Sequence, residues 1–177
     1  MALAAIVLFW GFTGAAAGQT PAPECAAKES AFLQALVGTW AVDAEFRSGD
    51  SWESAPGRAS IRADLGGCVV VVHYEGTRFE KPYSFLAILG ANGPDAAKPM
   101  QEVFVHSQHG IVSLSTGRIE NGQLALDDAP SVGGRTVLIR HVYFDAGPDG
   151  FRYESRRSTD RGASWTVTSR ARYRRPG

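Results

Sequence analysis

One stretch of the sequence decides the fold: Leu36-Val37-Gly38-Thr39-Trp40-Ala41-Val42-Asp43-Ala44-Glu45-Phe46-Arg47. Apolar and charged residues alternate along it and fall on two opposite faces: Trp40, Val42, Ala44 and Phe46 on one, and Asp43, Glu45 and Arg47 on the other. Side chains of a β-strand alternate between its faces with a period of two residues. The stretch therefore predicts an antiparallel strand that buries one face and exposes the other.

Turn-forming residues, among them Pro56-Gly57 and Gly133-Gly134, occur at intervals from this strand to the end of the chain. The strongest hairpin signal is Asn121-Gly122, because both central residues of a type I′ turn need positive φ. About ten strands are predicted: 38–47, 58–65, 68–75, 83–89, 102–107, 111–120, 123–127, 135–145, 151–158 and 165–173. Apolar residues at helical spacing predict one short helix over residues 24–36. An antiparallel meander of this kind loses its exposed edges by closing into a barrel, and a β-sandwich is the alternative.

The first residues form a leader. Residues 1–10 are apolar and uncharged, and small residues follow at 14–18, an order typical of a signal peptide. We therefore expect a signal peptide over 1–18, a loose mature N-terminus over 19–23 and one domain over 24–177, in an exported protein that is periplasmic or secreted. The leader lacks Lys and Arg, so an uncleaved anchor is the alternative. No later stretch predicts a membrane span.

The two cysteines are Cys25, just before the predicted barrel, and Cys68, at the start of a valine run. In an exported chain we expect them to form a disulfide. Closing that loop would stabilise the fold by about 4 kcal/mol in the chain-entropy model. The alternative is two buried free thiols.

Charge and histidine spacing disfavour two classes of partner. Net charge is zero, although arginines are concentrated from Arg152 to Arg175. These arginines alternate with apolar residues, as on a solvated strand face, and no recognition motif accompanies them, so no nucleic acid is expected. The four histidines lack metal-ligand spacing: His73, His106, His109 and His141. We expect no metal and no cofactor.

No catalytic motif is visible. The chain has no nucleophile elbow, phosphate loop or dinucleotide fingerprint, so we predict no catalytic residue. A binding protein is favoured over an enzyme, although a barrel can assemble a site from distant strands.

Residues 158–165, Ser-Thr-Asp-Arg-Gly-Ala-Ser-Trp, match the Asp-box pattern S-x-D-x-G-x-x-W. Ser158 and Asp160 are predicted to hydrogen-bond the turn backbone, Gly162 to supply an unusual dihedral angle and Trp165 to pack under the hairpin. A single copy predicts neither a propeller nor glycosidase chemistry. We assign structural roles to Asp160 and Trp165, and to Trp40 in the first strand.

The Gly38-x-Trp40 start of the first strand resembles the first signature of lipocalin-like (calycin) barrels. With the leader, the cysteine before the helix, Leu65-Gly66-Gly67-Cys68 and the Asp box, the chain is similar to an uncharacterised family of exported bacterial proteins. This resemblance implies an all-β fold, an antiparallel up-and-down lipocalin-like β-barrel of about ten strands with one short N-terminal helix. It also implies a late arginine, Arg170 or Arg172, over the Trp40 indole. Haem, as in nitrobindin-like barrels, is a minor alternative.

The predicted function is binding of a small, partly apolar molecule, because a barrel of this size is either filled or holds one such ligand. The candidate ligand-binding residues are aromatic or polar and lie within strands: Tyr83, Phe85, Arg140, Tyr153 and His73. Alternation alone does not choose whether Arg140 or His141 points inward. A ligand site is expected to have an inward Arg140 and a cavity of about 300 Å³ or more, and without either of them an interaction module is favoured. The alternative function is a protein-interaction or structural module, and the sequence does not give the oligomeric state.

Overall fold

The computed structural model describes residues 27–91, 100–108, 112–132 and 134–177. One helix, α1 (Ala27–Leu36), precedes the strands, and a 3-10 turn (Leu65–Gly67) joins the second strand to the third. The strands are β1 (Gly38–Ser48), β2 (Ser51–Asp64), β3 (Val69–Arg78), β4 (Lys81–Ala91), β5 (Met100–His106), β6 (Val112–Glu120), β7 (Gln123–Asp128), β8 (Ser131–Val132), β9 (Arg135–Thr136), β10 (Leu138–Gly147), β11 (Gly150–Ser158) and β12 (Thr166–Arg174).

Ten of these strands form one closed antiparallel barrel in the order β1-β12-β11-β10-β7-β6-β5-β4-β3-β2. The barrel closes because β1 pairs with β2 on one side and with β12 on the other, where Phe46 lies opposite Ser169. β8 and β9 form a separate two-stranded hairpin in the connection between β7 and β10. The predicted fold class is confirmed, in its barrel form.

Residues 135–145 do not form one strand as predicted. Arg135–Thr136 pairs with Ser131–Val132, and the barrel strand begins only at Leu138. Gly134, with φ of 74°, lies in the turn of this hairpin, which takes the first residues of the predicted strand away from the barrel.

β2 begins at Ser51, seven residues before the predicted start at Arg58. Pro56-Gly57, expected to form a turn, lies inside the strand because Tyr74 occupies the space beside it. A Cβ on Gly57 would lie 2.5 Å from the Tyr74 hydroxyl, and one on Gly76, which is paired with Gly57, would lie 2.4 Å from it. The two glycines therefore make room for a buried phenol rather than a turn.

α1 covers one end of the barrel. Leu33, Leu36 and Trp40 are fully buried there, and the indole N–H of Trp40 donates to the carbonyl of Leu36 at 2.9 Å. This hydrogen bond satisfies the one polar group of a buried tryptophan.

The arginine over the Trp40 indole is Arg175, not Arg170 or Arg172. Its Cζ lies 3.8 Å from the ring centroid. The prediction is wrong because β12 pairs Arg170 with Glu45 and Arg172 with Asp43, which places both on the outer face. Arg175 follows the last residue of β12 and reaches the closed end of the barrel.

Several arginines form ion pairs on the outer face, as expected for a solvated strand face. The pairs are Arg170–Glu45 (2.6 Å), Arg140–Asp127 (2.6 Å), Arg152–Asp145 (2.5 Å), Arg156–Glu154 (2.6 Å) and Arg174–Asp43. Exposed pairs of this kind contribute about 0 to 1 kcal/mol each. These ion pairs therefore contribute little to the stability of the barrel.

Cys25 and the predicted signal peptide lie outside the described residues. The Cys25–Cys68 disulfide, the leader and the domain boundary at residue 24 therefore stay predictions. The one described α-helix, α1, has ten residues and is not a candidate membrane span.

Candidate functional site

The barrel interior contains a cavity that opens at the end opposite α1. Its enclosed part has a volume of about 70 Å³, and Leu36 of α1 contributes to its lining. Seven strands supply its aromatic walls: Phe46, Tyr74, Tyr83, Phe85, Phe104, Tyr143, Phe151, Tyr153 and Tyr173. The enclosed part alone is smaller than expected for a ligand cavity.

A wider mouth continues this cavity toward solvent. The mouth measures about 370 Å³ and shares Phe46, Tyr83, Phe104, Tyr153 and Ser169 with the inner part. Because these five residues line both spaces, the two spaces make a single funnel. A molecule larger than the inner part can therefore enter with one end and leave the other in the mouth.

A buried carboxyl group, that of Glu102, lies in the inner part of the funnel. Glu102 is only 1% exposed, and its Oε1 accepts a hydrogen bond from the Tyr143 hydroxyl at 2.5 Å. Its Oε2 has no hydrogen-bond partner among the described residues. A buried polar atom without a partner costs free energy, and such atoms are uncommon in folded proteins.

His141 and Tyr153 form a second polar pair beside Glu102. Nδ1 of His141 lies 2.6 Å from the Tyr153 hydroxyl and 4.0 Å from Oε2 of Glu102. The donor in the His141–Tyr153 hydrogen bond depends on the tautomer of His141. At 4.0 Å, Nδ1 is too far from Oε2 of Glu102 for a hydrogen bond.

Burial keeps the phenols of the funnel in their neutral form. Desolvation raises the pKa of Tyr143 and of Tyr153 well above the usual value, and nearby Glu102 adds to both increases. Burial also raises the pKa of Tyr74 to about 12. These hydroxyls therefore act as hydrogen-bond donors and not as anions at neutral pH.

The rim of the funnel carries Arg78 and Phe79, at the β3–β4 hairpin. The Arg78 guanidinium lies over the rings of Phe46, Phe79 and Tyr83, with Cζ 4.7, 5.3 and 5.5 Å from their centroids. Phe79 and Glu80 adopt positive φ of 53° and 61°, a conformation unfavourable for such residues. A strained turn thus holds an aromatic side chain and a cation at the opening.

Three of the five candidate ligand-binding residues face the funnel. Tyr83, Phe85 and Tyr153 line its walls, from β4 and β11. Their role in binding a ligand stays a prediction.

The other two candidates, Arg140 and His73, face outward, so placing them in the cavity was wrong. Arg140 pairs with Asp127 and lies over Trp165 with Cζ 4.4 Å from the ring centroid, while His73 is exposed. Alternation was ambiguous in β10 because its outer face is also covered: Arg140 packs on Trp165, and Arg152 lies over Phe144. The inward residue is His141.

Sequence reasoning missed Glu102 and Tyr143 as site residues. Met100, Glu102, Phe104 and His106 alternate along β5, and the first three have their side chains in the core or the funnel. The signal was a single carboxylate in an otherwise apolar and aromatic face. It was hidden because the opposite face, with Val103 and Val105, is apolar as well.

The Asp box forms the hydrogen bonds that its sequence predicts, well away from the funnel. The Ser158 hydroxyl accepts from the amide of Gly162 at 2.8 Å, and Asp160 accepts from the Ser164 amide at 2.9 Å. Hydrogen bonds to the Asp160 carboxylate, above all that from the Ser164 hydroxyl, lower the pKa of Asp160 to about 2. Neither Asp160 nor Trp165 lines the cavity.

Within the described part of the chain, no three His, Cys, Asp or Glu side chains come together as a metal site would need. His109 lies outside that part. Hydrogen bonding and packing against aromatic rings are the interactions that the funnel offers.

The closed ten-stranded barrel, with a helix over one end and an open funnel at the other, is a lipocalin-like barrel. Among solved structures it is similar to the S-type phycobiliprotein lyase CPES from Guillardia theta, with a TM-score of 0.52 over 83% of this chain and 92% of that chain. The two sequences are 16% identical, so the likeness concerns the fold. No family model matches this chain, and no curated protein matches it.

Proposed function

We propose that this protein is an exported barrel that binds one small, partly apolar molecule in its funnel. The observation that carries the proposal is a buried acceptor, Oε2 of Glu102, at the inner end of an aromatic cavity that opens to solvent. The solved neighbour, a phycobiliprotein lyase, supports only the barrel fold.

The aromatic walls supply the apolar part of this site. The Phe85 ring lies between two others, with its centroid 4.8 Å from that of Tyr74 and 5.1 Å from that of Phe104. The His141 ring extends the row, with its centroid 6.3 Å from that of Phe104. Rings arranged in this way offer large apolar surfaces with few rotatable bonds, which keeps the entropic cost of binding low. Ligand pockets combine such walls with a few placed polar groups.

A barrel that served only as a scaffold would gain nothing from this inner end. Replacing a buried, half-satisfied carboxyl by an apolar side chain of similar volume is often neutral or stabilising. Retaining Glu102 there is consistent with a partner that enters through the mouth.

Export rests on the leader. N-terminal sequencing of protein recovered from the periplasm or the medium should give a chain that begins at residue 18 or 19. A chain that keeps Met1, or recovery only with cytoplasm, would contradict export and leave the binding site untouched.

The binding proposal can be tested with the neutral aromatic probe N-phenyl-1-naphthylamine, whose fluorescence rises in apolar sites. We expect saturable binding by the wild type and at least a tenfold loss with Ala44→Leu, because Ala44 lines the inner cavity and the added atoms fill it. The matched control is Ala41→Leu, on the opposite face of β1. Thermal melts establish that both variants fold. Absence of saturable binding by the wild type, or equal losses in the two variants, would contradict the proposal.

A second candidate, a module that pairs with a copy of itself, is favoured by one outer surface. Ile88, Val103 and Leu114 lie side by side on β4, β5 and β6, and are 39%, 38% and 55% exposed. An uncharged flat face is complementary to itself about a two-fold axis. Sedimentation velocity should then show dimers that Leu114→Lys abolishes and Leu65→Lys retains. A monomer at all concentrations would eliminate this candidate.

A further inference from the structure

We infer that the funnel selects ligands that carry an amine, with the nitrogen at Glu102. This inference rests on the proposed function, because it names the chemical class of the molecule in the same cavity. Three features of the inner end support it: an acceptor without a partner, a second polar atom beside it, and surrounding aromatic rings.

Glu102 supplies the acceptor. Its Oε1 is engaged by Tyr143, whereas its Oε2 faces no donor within hydrogen-bond distance among the described residues. His141 is the nearest cation-forming group, but its Nδ1 is 4.0 Å from Oε2 and is held by Tyr153. A hydrogen bond at Oε2 therefore has to come from a molecule that brings its own donor.

Ser115 supplies the second polar atom. It lies directly opposite Glu102 in the β5–β6 ladder, is fully buried, and its Oγ also lacks a partner in the described part of the structure. Ser115 is not among the residues that line the inner cavity, so Oε2 of Glu102 is the atom that a ligand reaches. An ammonium group brings three N–H donors to it, and a hydroxyl group brings only one.

The surrounding rings favour a cation over a neutral donor. Phe104, Tyr143 and Tyr153 border the inner cavity with Glu102, and ring faces attract cations. The raised pKa values of Tyr143 and Tyr153 keep these rings neutral, so they add no anionic charge of their own. Among the described residues that line this inner part, Glu102 supplies the one carboxyl group, and the one arginine there, Arg170, has its guanidinium group paired with Glu45.

Arg78 supplies the one guanidinium group among the described residues that line the mouth, and its position determines which end of an amine ligand enters the funnel. Arg78 lines the mouth and not the inner cavity, where it lies over the rings of Phe46 and Tyr83. The positive charge of Arg78 repels a ligand ammonium group at the rim. It does not repel a ligand whose other end, near the rim, is neutral or acidic. The amine end is therefore the end that enters first.

The test compares 2-phenylethylamine with 2-phenylethanol by isothermal titration calorimetry at neutral pH. The two molecules differ only in the terminal group. Charge-assisted hydrogen bonds exceed neutral ones by enough to predict about a tenfold preference for the amine. Glu102→Gln should reduce that preference to about one, and the matched control Glu45→Gln, on the outer face, should keep it.

The outcomes separate this inference from the proposed function. If the wild type binds both molecules equally, or if Glu102→Gln retains the preference for the amine, the inference is overturned and the binding funnel stands. If neither molecule nor N-phenyl-1-naphthylamine binds, both are overturned. The comparison between the two molecules uses the wild-type protein, so it does not depend on the folding of a variant.

Discussion

Arg175 lies flat over the indole of Trp40, with its Cζ 3.8 Å from the ring centroid. The same guanidinium group donates to the carbonyl of Val37 at 3.2 Å and to that of Pro148 at 3.1 Å. A Cβ on Gly38 would lie 1.7 Å from its Nη1. The glycine of the Gly-x-Trp signature therefore leaves room for the arginine, which ties the end of the chain to the closed end of the barrel.

This arrangement predicts that Arg175→Met lowers the free energy of unfolding by about 1 to 2 kcal/mol, through the lost cation–π contact and hydrogen bonds. Urea denaturation measures it. The control Arg172→Met, on the outer face, should change stability by less than about 0.5 kcal/mol. Equal effects of the two substitutions would show that Arg175 contributes no more than a surface charge.

The β3–β4 turn predicts a variant more stable than the wild type. Glu80 has positive φ, which costs an L-residue about 1 to 2 kcal/mol and costs glycine little. Glu80→Gly should therefore raise the free energy of unfolding by about 1 kcal/mol, since the gain exceeds the added entropy of the unfolded chain. Glu75→Gly, in the extended part of β3, should lower it by about 0.5 to 1 kcal/mol. A loss of stability in both variants would mean that the turn is not strained.

The five tyrosines predict one cooperative alkaline transition. Burial raises the pKa of every one of them: Tyr74, Tyr83, Tyr143, Tyr153 and Tyr173. A raised pKa in the folded state stabilises the protein below pH 10, and that stability is lost as the pH rises above 10. Tyrosinate absorbance at 295 nm should therefore appear together with loss of near-ultraviolet circular dichroism. Ionisation of one or more tyrosines near pH 10 in the folded protein would be inconsistent with this interior.

The Asp box predicts the opposite dependence at acid pH. The pKa of Asp160 is lowered from 3.8 to about 2, so its contribution is complete above pH 4 and is lost as the pH falls toward 2. The stability difference between the wild type and Asp160→Asn should shrink over that interval. Binding of N-phenyl-1-naphthylamine at neutral pH should be unchanged in this variant. Unchanged stability with lost binding would assign the box to the site and not to the scaffold.

The sequence predicted the barrel well because strand faces and turns are local properties. The alternation of Trp40, Val42, Ala44 and Phe46 gave the inner face of β1, and Asn121-Gly122 gave a hairpin whose residues have φ of 50° and 75°. The turn predicted at Pro56-Gly57 was wrong for a non-local reason, because Gly57 makes room for the phenol of Tyr74 on the neighbouring strand.

The site was predicted only in part, because its residues are defined by contacts between distant strands. Tyr83, Phe85 and Tyr153 were found as inward aromatics. Arg140 was chosen over His141 because nothing local shows that Asp127 and Trp165 hold the arginine outside. Glu102 is recognisable as a site residue only in the folded protein, where Tyr143 and His141 of β10 lie beside it.

The central claim, a funnel that holds one small molecule, is tested most directly by native mass spectrometry of the protein purified from its own host. The account predicts an additional mass of one small molecule in the wild type, lost on collisional activation. It also predicts that this mass is absent from Ala44→Leu and retained in Ala41→Leu. A wild type that carries no such mass, and that takes up neither 2-phenylethylamine nor N-phenyl-1-naphthylamine when these are added, would contradict the claim.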